Sequence, residues 1–584
     1  MKTIKYIGLF TVCITFFISC DDSFLERYPL DSMTPETYFL TEEEFKYYSN
    51  GFYNIVPTAA GIFGETADNI ANYTLDEAIS GTRQPRGTDG GWNWSELRRI
   101  NFLMKYSKNC PDENIRLRYE ALARFFRAWF YFSKLQRFGE VPWYNEVIED
   151  DDYDNLMKPR TPRTELVDSI LQDINIAIDH IDKTKNVERI NRFTALALKS
   201  RICLYEGTFR KYHTEFNLPD ADFFLQECVS ASEMLMNEGG YSIYNKTNGP
   251  TGKPYQDLFA LMNSDTDEII LTRRYSPSQQ VYHNANFYLL ASTQGKPGME
   301  KALVNSYLMR NGDRFTDKPS YETMQFAEEV IDRDPRLEQT IRTPGYTRIG
   351  QTARLAPDFN ATVTGYQLIK FLTTPVYDAS NNSGNDIPVM RYAEVLLNYA
   401  EAKAELGTLQ QSDLEKSIKL IRDRVGMPNI DLSASNANPD PYLEDQYPNV
   451  SGANKGVILE IRRERRIELV MENLRWDDLM RWKEGHLLAR PFRGMYFPGP
   501  GEYNLDNFGA IDIIIYEGAE PSTNTFTMPV SQLSENNQGY VEVHKGIVKT
   551  FNENRDYFWP IPIEQRKLNP NLTQNPGWDD GLGY

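Results

Sequence analysis

Glu120-Ala121-Leu122-Ala123-Arg124-Phe125-Phe126-Arg127-Ala128-Trp129-Phe130-Tyr131-Phe132 sets large apolar side chains at three- and four-residue steps, the spacing of one buried helix face. Leu117 and Leu122 carry the pattern over residues 114–137, and Gly139 with Pro142 stops it. Upstream, residues 95–107 place Leu97, Ile100, Leu103 and Met104 on one face, with Arg98, Arg99 and Lys105 outside it. Downstream, residues 164–182 repeat the spacing with Leu166, Ile170, Ile174, Ile178 and Ile181. Further helices are predicted over 193–207, ending at Gly207, and over 221–238, before Gly239-Gly240. Others follow over 391–406, 412–424 and, as one long helical region, 455–482. Successive amphipathic helices on short turns predict stacked helix pairs, as in α-solenoids. No fixed repeat length accompanies them.

Between these helices lie residues 240–300, 340–390 and 485–580, rich in Gly, Pro, Asn, Tyr and Thr, with β-like pieces such as Glu268-Ile269-Ile270-Leu271-Thr272. Loops of this length are functional or disordered, and their aromatic content argues against disorder. Of the 584 residues, 41% are hydrophobic and 13% aromatic, enough for a large core. A net charge of −19, with no long Lys/Arg cluster, excludes a nucleic-acid partner. Cys110, Cys203 and Cys228 are too widely spaced for a disulfide framework or zinc site, and the five histidines form no i, i+4 pair. The run Glu149-Asp150-Asp151-Asp152-Tyr153-Asp154-Asn155 offers carboxylates for a structural calcium, but without EF-hand spacing or its glycine it reads first as a solvated loop. No other cofactor is expected, and no G-x-S-x-G, P-loop, HExxH or dinucleotide fingerprint occurs.

The N-terminus sets the compartment. Lys2 and Lys5 precede an apolar run over residues 7–18, too short for a bilayer core that needs roughly 20 residues. Ser19-Cys20-Asp21-Asp22 then resembles the lipobox of bacterial lipoproteins, with Phe17 where Leu is usual. Residues 1–19 are therefore expected to be a signal peptide and Cys20 the lipidated first residue. Beyond the leader no window approaches 18 uninterrupted apolar residues, so the lipid is the expected membrane attachment.

A series of motifs runs in register along nearly the whole chain. They are Phe24-Leu25-Glu26 with Pro29, Thr34-Pro35-Glu36-Thr37-Tyr38-Phe39, and the 120–132 helix closing on Phe138-Gly139-Glu140-Val141-Pro142. Arg333-Asp334-Pro335-Arg336-Leu337 and the 391–402 helix follow. Glu464-Arg465-Arg466-Ile467-Glu468-Leu469 then leads to Arg475-Trp476-Asp477-Asp478-Leu479, and Pro560-Ile561-Pro562 and residues 569–578 end the series. Together they resemble the SusD/RagB nutrient-binding lipoproteins of the Bacteroidetes outer membrane. The resemblance implies a mostly α fold: a right-handed superhelical stack of tetratricopeptide-like helix pairs with long irregular loops and a few short β-hairpins. It divides the chain into an N-terminal helical region (20–240), a loop-rich ligand-facing region (241–390), C-terminal helical pairs (391–484) and an irregular end (485–584). It also implies a cell-surface, non-catalytic protein that delivers oligosaccharide to a SusC-like TonB-dependent transporter. Peptide binding by the same architecture is the alternative, and a surface glycoside hydrolase the remoter one.

The shared motifs read as structural. Glu394, Glu401 and the charged run over 462–468 are expected to pair with neighbouring charges. Ligand chemistry belongs in the irregular segments, because sugars stack C–H faces on aromatic rings and need amide, carboxylate or guanidinium partners for their hydroxyls. Residues 65–94 supply Asp68, Asn69, Tyr73, Arg83 and Trp92, with Trp92 beside Gly90-Gly91 as the leading platform and Trp94 as a packing residue. Residues 275–288 supply Tyr282, Asn284, Phe287 and Tyr288. Tyr346, Arg348 and Tyr366 form a fainter third group.

Overall fold

The computed structural model describes residues 35–88 and 90–583. The expected leader and the lipidation at Cys20 lie outside the described residues. Helices dominate, each on a face the apolar spacing marks: α1 (Ser95–Tyr106), α2 (Glu113–Phe138), α3 (Arg163–His180), α4 (Arg192–Tyr212), α5 (Ala221–Glu238), α6 (Tyr392–Glu405), α7 (Lys455–Glu468) and α8 (Arg475–Arg481). From α1 to α7 each of these helices packs on the next of the series, which is the stacked array the sequence predicts. Asp112 starts α2 by accepting from the backbone N–H groups of Asn114 and Ile115, and Gly139, at φ +68°, ends it.

Three predicted helix boundaries shift. α4 does not stop at Gly207 but runs through it to Tyr212. There a Cβ would stand 2.8 Å from Leu225 Cγ, so the glycine serves the close approach of α5. The region over 412–424 divides into Gln411–Glu415 and Ile418–Asp423. The long region over 455–482 breaks between α7 and α8, where Met471 (φ +63°) and Asn473 (φ +56°) take left-handed conformations that side-chain-bearing residues rarely adopt.

The strands are short and mostly pair across long stretches of chain. β1 (Ile70–Ala71) pairs antiparallel with β3 (Gly298–Met299), β2 (Ile269–Arg273) with β4 (Ile387–Arg391), and β5 (Phe492–Phe497) with β9 (Gly539–Val543). β6 (Gly501–Tyr503), β7 (Ile513–Tyr516) and β8 (Phe526–Pro529) form one sheet, antiparallel then parallel. Apolar side chains gather into two cores, one within the helical stack and one under the loop-rich segments.

Buried charge joins the two. Glu468 accepts from Arg391 (2.7 Å), Arg424 (2.5 Å) and Arg336 (3.1 Å), and Glu464 from Arg336 (2.5 Å) and Arg422 (2.8 Å). Arg336 also holds Asp334, and Arg391 reaches Glu268 and Glu472. Three of the quoted motifs thus converge on one buried network. Its arginines hold the Glu468 carboxyl well below the usual range despite burial. Glu394 and Glu401 pair with Arg201 and Arg481, as their helix positions imply. No helix among the described residues is long and apolar enough to cross a membrane.

Candidate functional site

The register of β1 on β3 builds the site. Ile70 faces Met299 and Ala71 faces Gly298, so the chain leaving β1 at Asn72-Tyr73 runs beside the turn Gly295-Lys296 that enters β3. The Tyr73 N–H donates to the Gly295 carbonyl at 2.6 Å. Gly295, at φ +40°, is needed: a Cβ there would meet Tyr288 Cε2 at 3.0 Å and Asn72 Oδ1 at 3.2 Å. Tyr288, on the short helix Ala285–Leu290, donates its hydroxyl to Asn72 Oδ1 at 2.8 Å, and its ring packs 5.4 Å from that of Phe63. Burial pushes the Tyr288 hydroxyl up to about 12, so it stays protonated and a donor at neutral pH. His544, at the end of β9, meets the Asn72 carbonyl at 2.7 Å through Nε2, and burial lowers its basicity.

On this floor the Tyr73 ring stands 71% exposed, with Lys296 Nζ 5.7 Å from its centroid. Ile547 and Val548, also exposed, follow His544 on the same segment. Exposed apolar side chains grouped with amide, ammonium and imidazole groups can stack on one face of a polar ring and hydrogen-bond its edge. Tyr73 and Tyr288, placed in separate predicted segments, thus share one surface. Tyr282 and Asn284 stand at the other end of the short helix: Tyr282 donates to the Pro277 carbonyl (3.1 Å), and Asn284 Oδ1 accepts from the Asn381 N–H (2.7 Å). Phe287, half-buried, lies between.

The other predicted ligand residues are inside. Asp68, 5% exposed, is gripped bidentately by Arg475 (2.6 and 2.8 Å) and by Arg466 (3.0 Å), which hold its carboxyl well below the usual range. Asn69 spends its amide on Glu65 and Arg466. Arg83, 1% exposed, pairs with Asp556 at 3.2 Å and sits among the rings of Trp559 (4.9 Å), Trp578 (5.6 Å) and Trp476 (5.9 Å). Trp92 is 7% exposed and meets Trp94 and Phe138 edge to face. Its edge lines a cleft of about 560 Å³ with Trp94 and Tyr144, but its faces are not offered as a stacking platform. Of the third group, Tyr366 donates to Glu329 and Arg348 pairs with Asp378, while Tyr346 is buried.

Sequence reasoning passed over Lys296 and His544. The Gly295-Lys296-Pro297-Gly298 run signals a turn, but only the β1–β3 pairing says what the turn faces. Glu149 in the acidic run pairs with Arg98 and Lys105, and Asp152 caps the turn at Asn155. Among the described residues no cluster of three or more histidine, cysteine or carboxylate groups is placed to hold a metal.

Residues 267–578 match the model of the SusD family. A SusD-like protein of Formosa agariphila is 22% identical over 98% of this chain and 100% of its own. Another, from Bacteroides ovatus, is 23% identical over 80% of each chain. Among solved structures, one described as a SusD-like carbohydrate-binding protein of Bacteroides fragilis superposes with a TM-score of 0.67 at 21% identity, covering 92% of this chain and all of that one. A laminarin-binding SusD-like protein superposes with a TM-score of 0.54 at 17% identity, covering 92% of this chain and 99% of its own.

Proposed function

The chain belongs to the SusD family, a family of non-catalytic binding proteins, and from that premise we propose that its Tyr73 face captures oligosaccharide at the cell surface for a TonB-dependent outer-membrane transporter. One observation carries the ligand class: an exposed tyrosine ring whose backbone is held by β1 and the Gly295 turn, next to the Tyr288–Asn72 hydrogen bond and beside Lys296. With its backbone already ordered, the ring has only its side-chain torsions left to fix on stacking against the C–H face of a sugar. The Asn72 amide, the Lys296 ammonium and the tyrosine hydroxyls supply donors and acceptors for the sugar's hydroxyls. The names of two structural relatives, one carbohydrate-binding and one laminarin-binding, support the same class.

Surface attachment rests on the lipobox-like Ser19-Cys20, which would tether the body by acyl chains. Delivery to a transporter rests on membership of the family. A glycan and peptide array identifies the ligand, and titration of wild type and Tyr73→Ala with the best glycan tests the site. The expected result is at least tenfold weaker binding with an unchanged melting temperature, since the ring is exposed. Equal affinity, or binding to peptides alone, would contradict the proposal.

A further inference from the structure

A second cleft, of about 300 Å³, opens between the two cores, where the break between α7 and α8 meets α2, α4 and β4. It shares no residue with the Tyr73 face. Trp129 of α2, Trp476 of α8 and Trp559 line it, with Phe132 and Ile62 beneath. The exposed residues Gly61, Ser133 and Asn473 stand at its mouth. Two tryptophans elsewhere spend their indole N–H on the protein: Trp482 donates to Glu401 (2.7 Å) and Trp578 to the Phe558 carbonyl (3.0 Å). The three indoles of the cleft donate to no acceptor among the described residues; their N–H groups open to solvent, where a ligand can reach them.

The charged groups around the cleft differ in the same way. Arg201 is committed bidentately to Glu394, and Glu472 to Lys370 and Arg391. Asp477 is committed only in part: one of its oxygens accepts from Gln136 Nε2 at 2.7 Å, the other has no partner among the described residues and opens to solvent, and no cation among them stands within salt-bridge distance. Burial and the neighbouring Asp478 push its carboxyl up to about 7. The left-handed turns at Met471 and Asn473 carry the chain from α7 into α8, setting Asn473 at the mouth and Trp476 and Asp477 along the wall.

Idle indole donors, an idle carboxylate, the Gln136 and Asn473 amides and apolar ring surface are the complement of a pyranose, with hydroxyl edges and apolar C–H faces. We propose that this cleft is a second carbohydrate site, holding one sugar residue between Trp129 and Trp476 with a hydroxyl on Asp477. The volume lies at the low end for small-molecule sites, which suits a single ring or the end of a chain rather than a long oligosaccharide. Hydroxyl groups donate to the free Asp477 oxygen, and ring or hydroxyl oxygens accept from the indole N–H groups.

The inference stands apart from the Tyr73 reading, and the test separates the two. Wild type, Tyr73→Ala, Ser133→Trp and Asp477→Asn are mixed with the methyl glycosides of glucose, galactose and mannose, and saturation transfer from protein to sugar is measured by NMR. Ser133→Trp plugs the mouth from an exposed position, and Asp477→Asn keeps the shape of the wall. The expected result is transfer to at least one glycoside in wild type and in Tyr73→Ala, reduced at least fivefold in both cleft variants at unchanged melting temperature. No transfer to any of the three glycosides in wild type would overturn the proposal. So would full transfer in Ser133→Trp, or transfer lost in Tyr73→Ala and retained in both cleft variants. Loss of array glycan binding in Tyr73→Ala bears only on the first face.

Discussion

Asp68 ties the N-terminal segment to α7 and α8 through Arg466 and Arg475, residues some four hundred positions away. Taking one member from a buried ion pair strands the others, at a cost of about 3–5 kcal/mol. Asp68→Asn is accordingly expected to lower the unfolding free energy at pH 7 by about 3–5 kcal/mol, measured by urea denaturation. The sign with pH follows from its depressed acidity. The stabilisation is present above the unfolded carboxylate range, near pH 4, and fades as pH falls through the native value. The gap between wild type and variant should therefore be smaller at pH 3 than at pH 7, and a constant gap would contradict the assignment. Asp68 also marks what residue chemistry alone could not tell. Asp68, Asn69 and Arg83 have the functional groups a sugar site needs, yet a carboxylate suits an arginine as well as a hydroxyl. Which it meets depends on α7 and α8, which no local pattern places. Tyr73 and Tyr288 were legible as residues, but their proximity depends on a two-residue strand pairing too short to leave a periodic signal.

The helices were the most legible elements, because burying one face imposes a repeat that a single sequence displays. The long pattern through Trp129 and Phe132 could mean little else. Failures fell where a signal has two meanings. Gly207 reads as a helix stop, but inside α4 it makes room for Leu225 of α5. Gly207→Ala tests this. A helix interior gains about 1 kcal/mol from that change, whereas overpacking costs about 1–3 kcal/mol. A Cβ 2.8 Å from Leu225 Cγ and 3.0 Å from its backbone nitrogen should let overpacking win. The expected result is a net loss of up to about 2 kcal/mol in denaturant melts, and stabilisation would show that α4 and α5 do not pack so closely. The break between α7 and α8 was hidden for a related reason. Its residues, Leu469 to Leu474, are neither glycine nor proline. Contacts made elsewhere hold the turn, among them the Met471 N–H donating to the buried Glu65 carboxyl at 2.9 Å.

At the scale of the whole molecule, a helical stack and a loop-rich body are joined by buried charge centred on Glu468 and Arg391. The stack supplies rigidity. The loop-rich body, anchored by β1–β3 and β2–β4, presents the exposed ring of Tyr73. Such a division separates the surface that presents side chains from the buried charges that place it. The proposed role requires the ligand to meet the loop face. Hydrogen–deuterium exchange with and without a saturating array-identified oligosaccharide reads this directly. The account predicts slower exchange in peptides spanning 70–75 and 286–298, with α3 and α5 unchanged. Protection confined to those helices, with both loop peptides unaffected, would contradict it.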